Sequence, residues 1–220
     1  MFKIMAGPVD KPKNDHDLEN GLKEAIQRIE QLLQSRTSTI VIAVAGGTCS
    51  GKTTQVAEYL NKHFGLLSQI YSLDHYYQGL SFNQKMKLQG IEIGWDQPEA
   101  LDLERLAQDL RALKSGKAAK RPIYNMQKME RDGFEEVKPT RIILIEGLFA
   151  LHSLLKDESD LKIFVHADRT SRLQRRKERD AIRTPQFTAQ QVEELFLEAE
   201  RMYERHVEPT RSLADILINN

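Results

Sequence analysis

Thr39-Ile-Val-Ile-Ala-Val-Ala45 runs directly into Gly46-Gly-Thr-Cys-Ser-Gly51-Lys52-Thr53-Thr54, and that junction decides the fold. The first seven residues are a continuous, largely β-branched apolar run, the pattern of a strand buried on both faces of a parallel sheet. The next nine fit G-x-x-x-x-G-K-[ST], with a strand in front and a helical pattern over 52–64 behind, the context this motif requires. Its glycines let the backbone curl so that successive N–H groups point inward, an anion nest at a helix N-terminus. Lys52 can reach the β- and γ-phosphates of a nucleoside triphosphate, and the Thr53 hydroxyl can bind Mg²⁺. Cys49 has no neighbouring His or second Cys to activate it and reads as a tolerated small residue of the loop.

Beyond this junction, short apolar runs alternate with helical stretches. Strands are expected at 69–73, 141–145, 161–165 and 214–218, and helices at 98–113, 168–182 and 188–206. That alternation is the signature of an α/β protein with a parallel sheet and crossover helices. The segment 114–140, with Gly116, Pro122, Gly133 and Pro139, reads as loop with room for a hairpin. Residues 1–16 read as a polar lead-in. From Asp17 to 34, Leu18, Leu22, Ile26, Ile29, Leu32 and Leu33 recur at helical spacing, so this helix has an apolar face to cover, with this domain or with a partner subunit. Residues 1–38 are taken as an N-terminal extension and 39–220 as the P-loop domain.

Composition narrows the function. The 220 residues are 40% hydrophobic and 29% charged, a foldable balance. Lys+Arg and Asp+Glu are both 32, and zero net charge argues against generic nucleic-acid binding. One cysteine allows neither an intrachain disulfide nor a multi-thiolate zinc site. With no apolar run near the ~20 residues that cross a bilayer, and no signal-peptide core at the N-terminus, a cytosolic protein without membrane partners is expected.

Two acids could serve a bound triphosphate. Ile142-Ile-Leu-Ile-Glu146-Gly147 is a buried strand ending in a carboxylate, where a P-loop protein places an acid near Mg²⁺; the plainer reading is a strand-end cap. Asp74, in Ser72-Leu-Asp74-His-Tyr-Tyr77, follows the next strand. Ligands of open α/β sheets sit beyond the carboxyl ends of strands, so Asp74 would face the crevice of Lys52, accept a proton from an attacking hydroxyl, help hold the metal, or both. Arg172, Arg175, Arg176, Arg179 and Arg183 fall near one helical face, which suits a solvated surface or a clamp on a moving phosphoryl group.

Taken together, GGTCSGKTT, SLDHYY, GWDQPEALD, PIYNM, IILIEGL, RRKERD and EPTRSLADILI resemble the uridine kinase family of P-loop kinases, and more distantly phosphoribulokinases and bacterial pantothenate kinases. The resemblance runs from about residue 39 to 219. It implies a three-layer α/β/α fold with a central five-stranded parallel sheet and a helical lid. ATP or GTP, with Mg²⁺, would phosphorylate the 5′-hydroxyl of a ribonucleoside, in a chain that forms a homo-oligomer. On this pattern Gly46, Gly47, Thr48, Cys49, Ser50, Gly51, Lys52, Thr53 and Thr54 hold the phosphates. Asp74 is the catalytic base, and Thr53, Asp74 and Glu146 surround the metal. Tyr77 lines the nucleoside site, Asp96 accepts from the ribose hydroxyls, Tyr124 flanks the base and Arg131 belongs to the same loop. Arg176 and Arg179 are the lid arginines. Read alone, Asp96 is a turn residue before Pro98 and Tyr124 a hairpin core residue.

Two departures bear on the substrate. Uridine kinases usually carry His or Tyr where this chain has Met129, which packs against a base without donating a hydrogen bond. The usual Arg-Gly-Arg of the lid is here Arg183-Thr-Pro-Gln186-Phe. The alternatives are a kinase of another small hydroxyl compound, such as a sugar phosphate or a pantothenate-like substrate, and an ATP-binding switch that transfers nothing.

Overall fold

The computed structural model describes residues 15–220; the lead-in expected over 1–16 lies, as far as residue 14, outside the described residues. In chain order the elements are β1 (Asp15–Asp17), α1 (Leu18–Ser35), β2 (Ile40–Gly46), α2 (Glu58–Phe64), β3 (Ser68–Ser72), α3 (Leu80–Leu88), α4 (Leu103–Lys114), β4 (Ala119–Asn125), β5 (Glu130–Val137), β6 (Ile142–Glu146), β7 (Leu161–His166), α5 (Arg169–Arg183), α6 (Ala189–Met202) and β8 (Ile216–Asn219). Six strands form one parallel sheet in the order β1-β8-β7-β2-β6-β3, while β4 and β5 pair as a separate antiparallel hairpin. The five expected strands are all in the sheet. The sixth, β1, is a three-residue polar edge strand whose sequence carries no strand pattern.

Because strand side chains alternate, the sheet has two apolar faces. Val41, Ala43 and Ala45 of β2 join Ile143 and Ile145 under Leu106 and Leu110 of α4. Ile40, Ile42 and Val44 join Ile216 and Ile218 under Leu22, Ala25 and Ile29 of α1 and Leu60 of α2. The apolar face of the N-terminal helix is thus covered by this chain's own sheet. The fit is close: a Cβ at Gly21 would lie 2.6 Å from Cγ1 of Ile218.

Helix boundaries moved where caps intervened. The pattern over 98–113 becomes a 3₁₀ turn at Pro98–Ala100 followed by α4, because Asp102 caps α4 by accepting from the Arg105 amide at 3.2 Å. The run 52–64 opens as a π-helical turn over Lys52–Ala57 before α2, and 188–206 closes as another over Tyr203–Val207 after α6. The short helix α3 was not expected. Among the described residues no helix is long and apolar enough to cross a membrane.

Register positions the site. Glu146 at the end of β6 pairs with Val44 of β2 and Ser72 of β3, and Gly46 pairs with Val165 of β7. The glycine loop, Glu146 and the segment carrying Asp74 therefore leave the sheet along one carboxyl edge.

Candidate active site

The loop after β2 depends on glycine at two points. Gly51 has φ +94°, and a Cβ there would lie 2.1 Å from Nδ2 of Asn220, whose side chain donates to the Ser50 carbonyl at 2.8 Å. A Cβ at Gly46 would lie 2.3 Å from the Val165 carbonyl oxygen. Cys49 is also left-handed, at φ +57°, and its carbonyl accepts from Arg175 at 3.4 Å. Lys52 opens the π-helical turn and its ammonium arches back to the Gly47 carbonyl at 3.4 Å. Ser50 Oγ is buried without a hydrogen-bond partner. A buried orphan donor in a glycine loop beside a lysine is what a phosphate oxygen would satisfy. Thr48 and Thr54 complete the loop, Thr54 exposed.

Beside the loop, Thr53 Oγ1 donates to Oε2 of buried Glu146 at 2.8 Å. Asp74 sits on the 3₁₀ turn Leu73–Tyr76, where Ser72 Oγ accepts from its amide at 3.3 Å. Its carboxyl opens to the cleft but is ringed by protein. Lost solvation, with the charge of Glu146, raises its pKa above the usual carboxylate range, while Lys52, Arg179 and Arg183 oppose the rise. Two mutually repelling carboxylates and a hydroxyl beside an anion nest suit a hard divalent cation, whose other ligands would be phosphate oxygens and water. Among the described residues no group of three or more His, Cys, Asp or Glu could hold a metal by itself. The site thus fits Mg²⁺ brought in with a triphosphate.

Across the cleft, Tyr77 stacks edgewise on Trp95, with ring centroids 5.8 Å apart, and tilts against Tyr124 at 5.4 Å. Burial raises the Tyr77 phenol, helped by the charges of Asp74 and Asp96. Asp96 is raised chiefly by burial and held back by Arg176, Lys52 and Arg179. It shares a narrow crevice with Thr48 and Tyr203, which places it beside the phosphate loop.

Two hairpin residues have a different setting. Arg131 donates to the carbonyls of Tyr77 at 2.8 Å and Tyr76 at 3.0 Å, and to Asp102 at 3.3 Å, so its guanidinium braces the turn that carries Asp74 and Tyr77. Met129 is left-handed at φ +52° and 41% exposed in the turn between β4 and β5; its carbonyl accepts from the Leu80 amide at 2.8 Å.

The arginine helix α5 divides in use. Arg172 is buried and paired with Glu200. Arg176 and Arg179 each donate through Nε to Asp180, the Arg179 contact at 2.8 Å. Burial alone would raise Asp180, but these hydrogen bonds hold its pKa below the usual value. Their charges reach the cleft: Arg179 bears on both Asp74 and Asp96, and Arg176 on Asp96.

Sequence reasoning missed Trp95, Asn220 and the partners of Arg172. Trp95 carried a signal as the chain's single tryptophan beside Asp96; Asn220 and Glu200 carried none, since their roles arise from contacts with residues far away in the chain. A cavity of about 840 Å³ lies off the cleft, behind Pro98 and Leu101 and beneath Phe82 and Met86.

Comparison with known proteins agrees with this geometry. The family model described as "Phosphoribulokinase / Uridine kinase family" matches residues 41–220. A uridine kinase of Staphylococcus aureus is 32% identical over 186 residues, covering 82% of this chain and 87% of the relative. Among solved structures, D-glycerate 3-kinase from Cryptococcus neoformans superposes with a TM-score of 0.65 at 19% identity, covering 92% of this chain and 95% of that one. Phosphoribulokinase from Rhodobacter spheroides gives 0.63 at 16%, covering 84% and 71%. These two show likeness of fold.

Proposed function

Because this chain belongs to the phosphoribulokinase / uridine kinase family, and is thus a phosphotransferase acting on a hydroxyl group, we propose that it transfers the γ-phosphate of ATP to the 5′-hydroxyl of a ribonucleoside, as a uridine or cytidine kinase does. On this reading it works in the cytoplasm, in pyrimidine salvage. What supports the proposal is that the charge of Lys52 bears on both Asp74 and Asp96, while Tyr77 gathers the rings of Trp95 and Tyr124 beside them.

The loop amides from Gly46 to Thr54 and the Lys52 ammonium bind the β- and γ-phosphates. Thr53, Glu146 and Asp74 are the residues that would hold Mg²⁺, which would supply neutralisation of the charge developing on the phosphate oxygens. Asp96 accepts the two ribose hydroxyls, a role suited to a carboxylate because it has acceptors and no donors. Asp74 takes the proton of the 5′-hydroxyl as that oxygen bonds to the γ-phosphorus; the bridging P–O bond breaks and ADP leaves. Arg176 and Arg179 face the phosphoryl group in flight, and the lid keeps water from competing. Met129 offers no base-reading donor at the hairpin turn, which points to relaxed base selection.

ADP release measured with and without uridine, cytidine, purine nucleosides, ribulose 5-phosphate, D-glycerate and pantothenate tests this. Stimulation by one or more nucleosides is expected. Stimulation by the sugar phosphate, glycerate or pantothenate alone would move the chain to another acceptor class, and stimulation by none would favour a nucleotide-dependent switch.

A further inference from the structure

Arg172 and Glu200 are charged residues that the phosphate-transfer scheme does not use, yet they are among the most deeply buried charges in the chain, with side chains 4% and 7% exposed. Their contact is bidentate: Arg172 Nη2 donates to Oε2 at 2.7 Å, and Nη1 donates to Oε1. Arg172 Nε donates to the Ala167 carbonyl at 3.0 Å, and the guanidinium lies 4.5 Å from the centre of the Tyr203 ring and 5.7 Å from that of Phe196. The pair therefore joins the first turn of α5 to the last turn of α6. It also touches the phosphate loop: a Cβ on Gly47 would lie 2.8 Å from Nη1 of Arg172 and 3.1 Å from the Tyr203 ring.

Burying two charges costs desolvation that mutual attraction does not reliably return, so such a pair is poor evidence of a purely stabilising role. Its geometry is specific. Arg172, Arg176 and Arg179 are spaced four and three apart, so they share one face of α5 and any rotation of the helix at Arg172 carries the other two with it. We infer that the Arg172–Glu200 pair is a positioning device: it locks the rotation of α5 against Gly47 of the phosphate loop, so that Arg176 and Arg179 meet the cleft at Asp96 and Asp74. Neither member touches the substrate. The inference rests on the phosphotransfer role proposed above for the two lid arginines.

The test separates folding from positioning. In the double variant Arg172→Met with Glu200→Leu the charges leave together, so a melting temperature near that of the wild type is expected. If the pair positions the lid, kcat in that variant falls about 10- to 100-fold while KM for ATP stays within about threefold. Arg172→Lys, which keeps the charge without the planar fork, is expected to lower kcat in the same direction. A second readout needs no acceptor: ATP is expected to slow trypsin cleavage at exposed Arg183 in the wild type and not in the double variant. A double variant that melts like the wild type and keeps both its kcat and its ATP protection overturns the inference. Should the double variant not fold, Arg172→Lys decides, and an unchanged kcat there overturns it equally. Absence of acceptor-stimulated turnover in the wild type would sink the functional reading instead, and the trypsin comparison would then judge the pair by itself.

Discussion

Asp74 is held at a cost. Its side chain is exposed at the cleft mouth, yet the protein crowded around it and the charge of Glu146 raise its folded-state pKa above the ordinary value, so the ionised carboxylate is less favourable in the folded chain than in the unfolded one. Stability from this group is greatest below the ordinary carboxylate pKa and is lost as pH rises through the raised one. Asp74→Asn is therefore expected to raise the melting temperature at pH 7. The same change removes the proton acceptor and is expected to lower turnover by about 10²- to 10⁴-fold, with ATP affinity by calorimetry nearly unchanged. Equal loss of turnover and affinity would make Asp74 structural. The base form must be ionised, so activity falls as pH drops through the raised pKa. Arg183 is one of the charges opposing the rise; Arg183→Gln is expected to move the acidic limb of the kcat/KM profile to higher pH. At Met129 the missing quantity is a hydrogen-bond donor. Met129→His is expected to raise kcat/KM for uridine and cytidine relative to purine nucleosides; an unchanged ratio would separate this position from the base.

Elements differ in how much of their geometry is local. β2 and its glycine loop were legible because every requirement is written within sixteen consecutive residues: an apolar run, two strategically placed glycines, a lysine and a hydroxyl. The loop's dependence on Gly51 was partly legible, as a glycine at a turn, but its steric reason was not, since the obstructing atom belongs to Asn220, 169 residues on in the chain after β8. Gly51→Ala meets both a left-handed φ and that amide, and is expected to weaken ATP binding about tenfold or more together with a lower melting temperature, read by calorimetry and thermal unfolding. Boundaries failed where a side chain decided them: Asp102 caps α4 and moved its start, leaving Pro98–Ala100 as a separate turn cut off by extended Leu101. β1 was invisible, since three polar residues on an edge leave no periodicity to read. The cluster of arginines on α5 was visible as one face, while its division into a buried brace at Arg172 and cleft-facing Arg176 and Arg179 follows from Glu200 and Asp180, which spacing cannot pair.

At the scale of the molecule the telling case is α1, whose amphipathic pattern announced a face to be covered without saying by what. It lies outside the stretch that resembles the kinase pattern, yet Ala25 and Ile29 are wholly buried and pack with Ile40, Ile42, Ile216 and Ile218 on one side of the sheet. β1 extends the same sheet beside β8, pairing His16 with Ile218. Removing residues 1–38 would uncover that side of β8 and β2 and leave β8 as a parallel edge without its cover, two features that favour association with other chains. A chain of 39–220 is therefore expected to be aggregated on size-exclusion chromatography, where the full chain elutes as a discrete species. The residues proposed for catalysis all lie after residue 38, so this outcome would mean that the extension supplies one side of a shared core rather than an independent appendage. A soluble, cooperatively melting 39–220 fragment with full acceptor-stimulated turnover would establish the opposite, that the boundary at residue 38 is a true domain boundary and that α1 merely rests on a sheet complete without it.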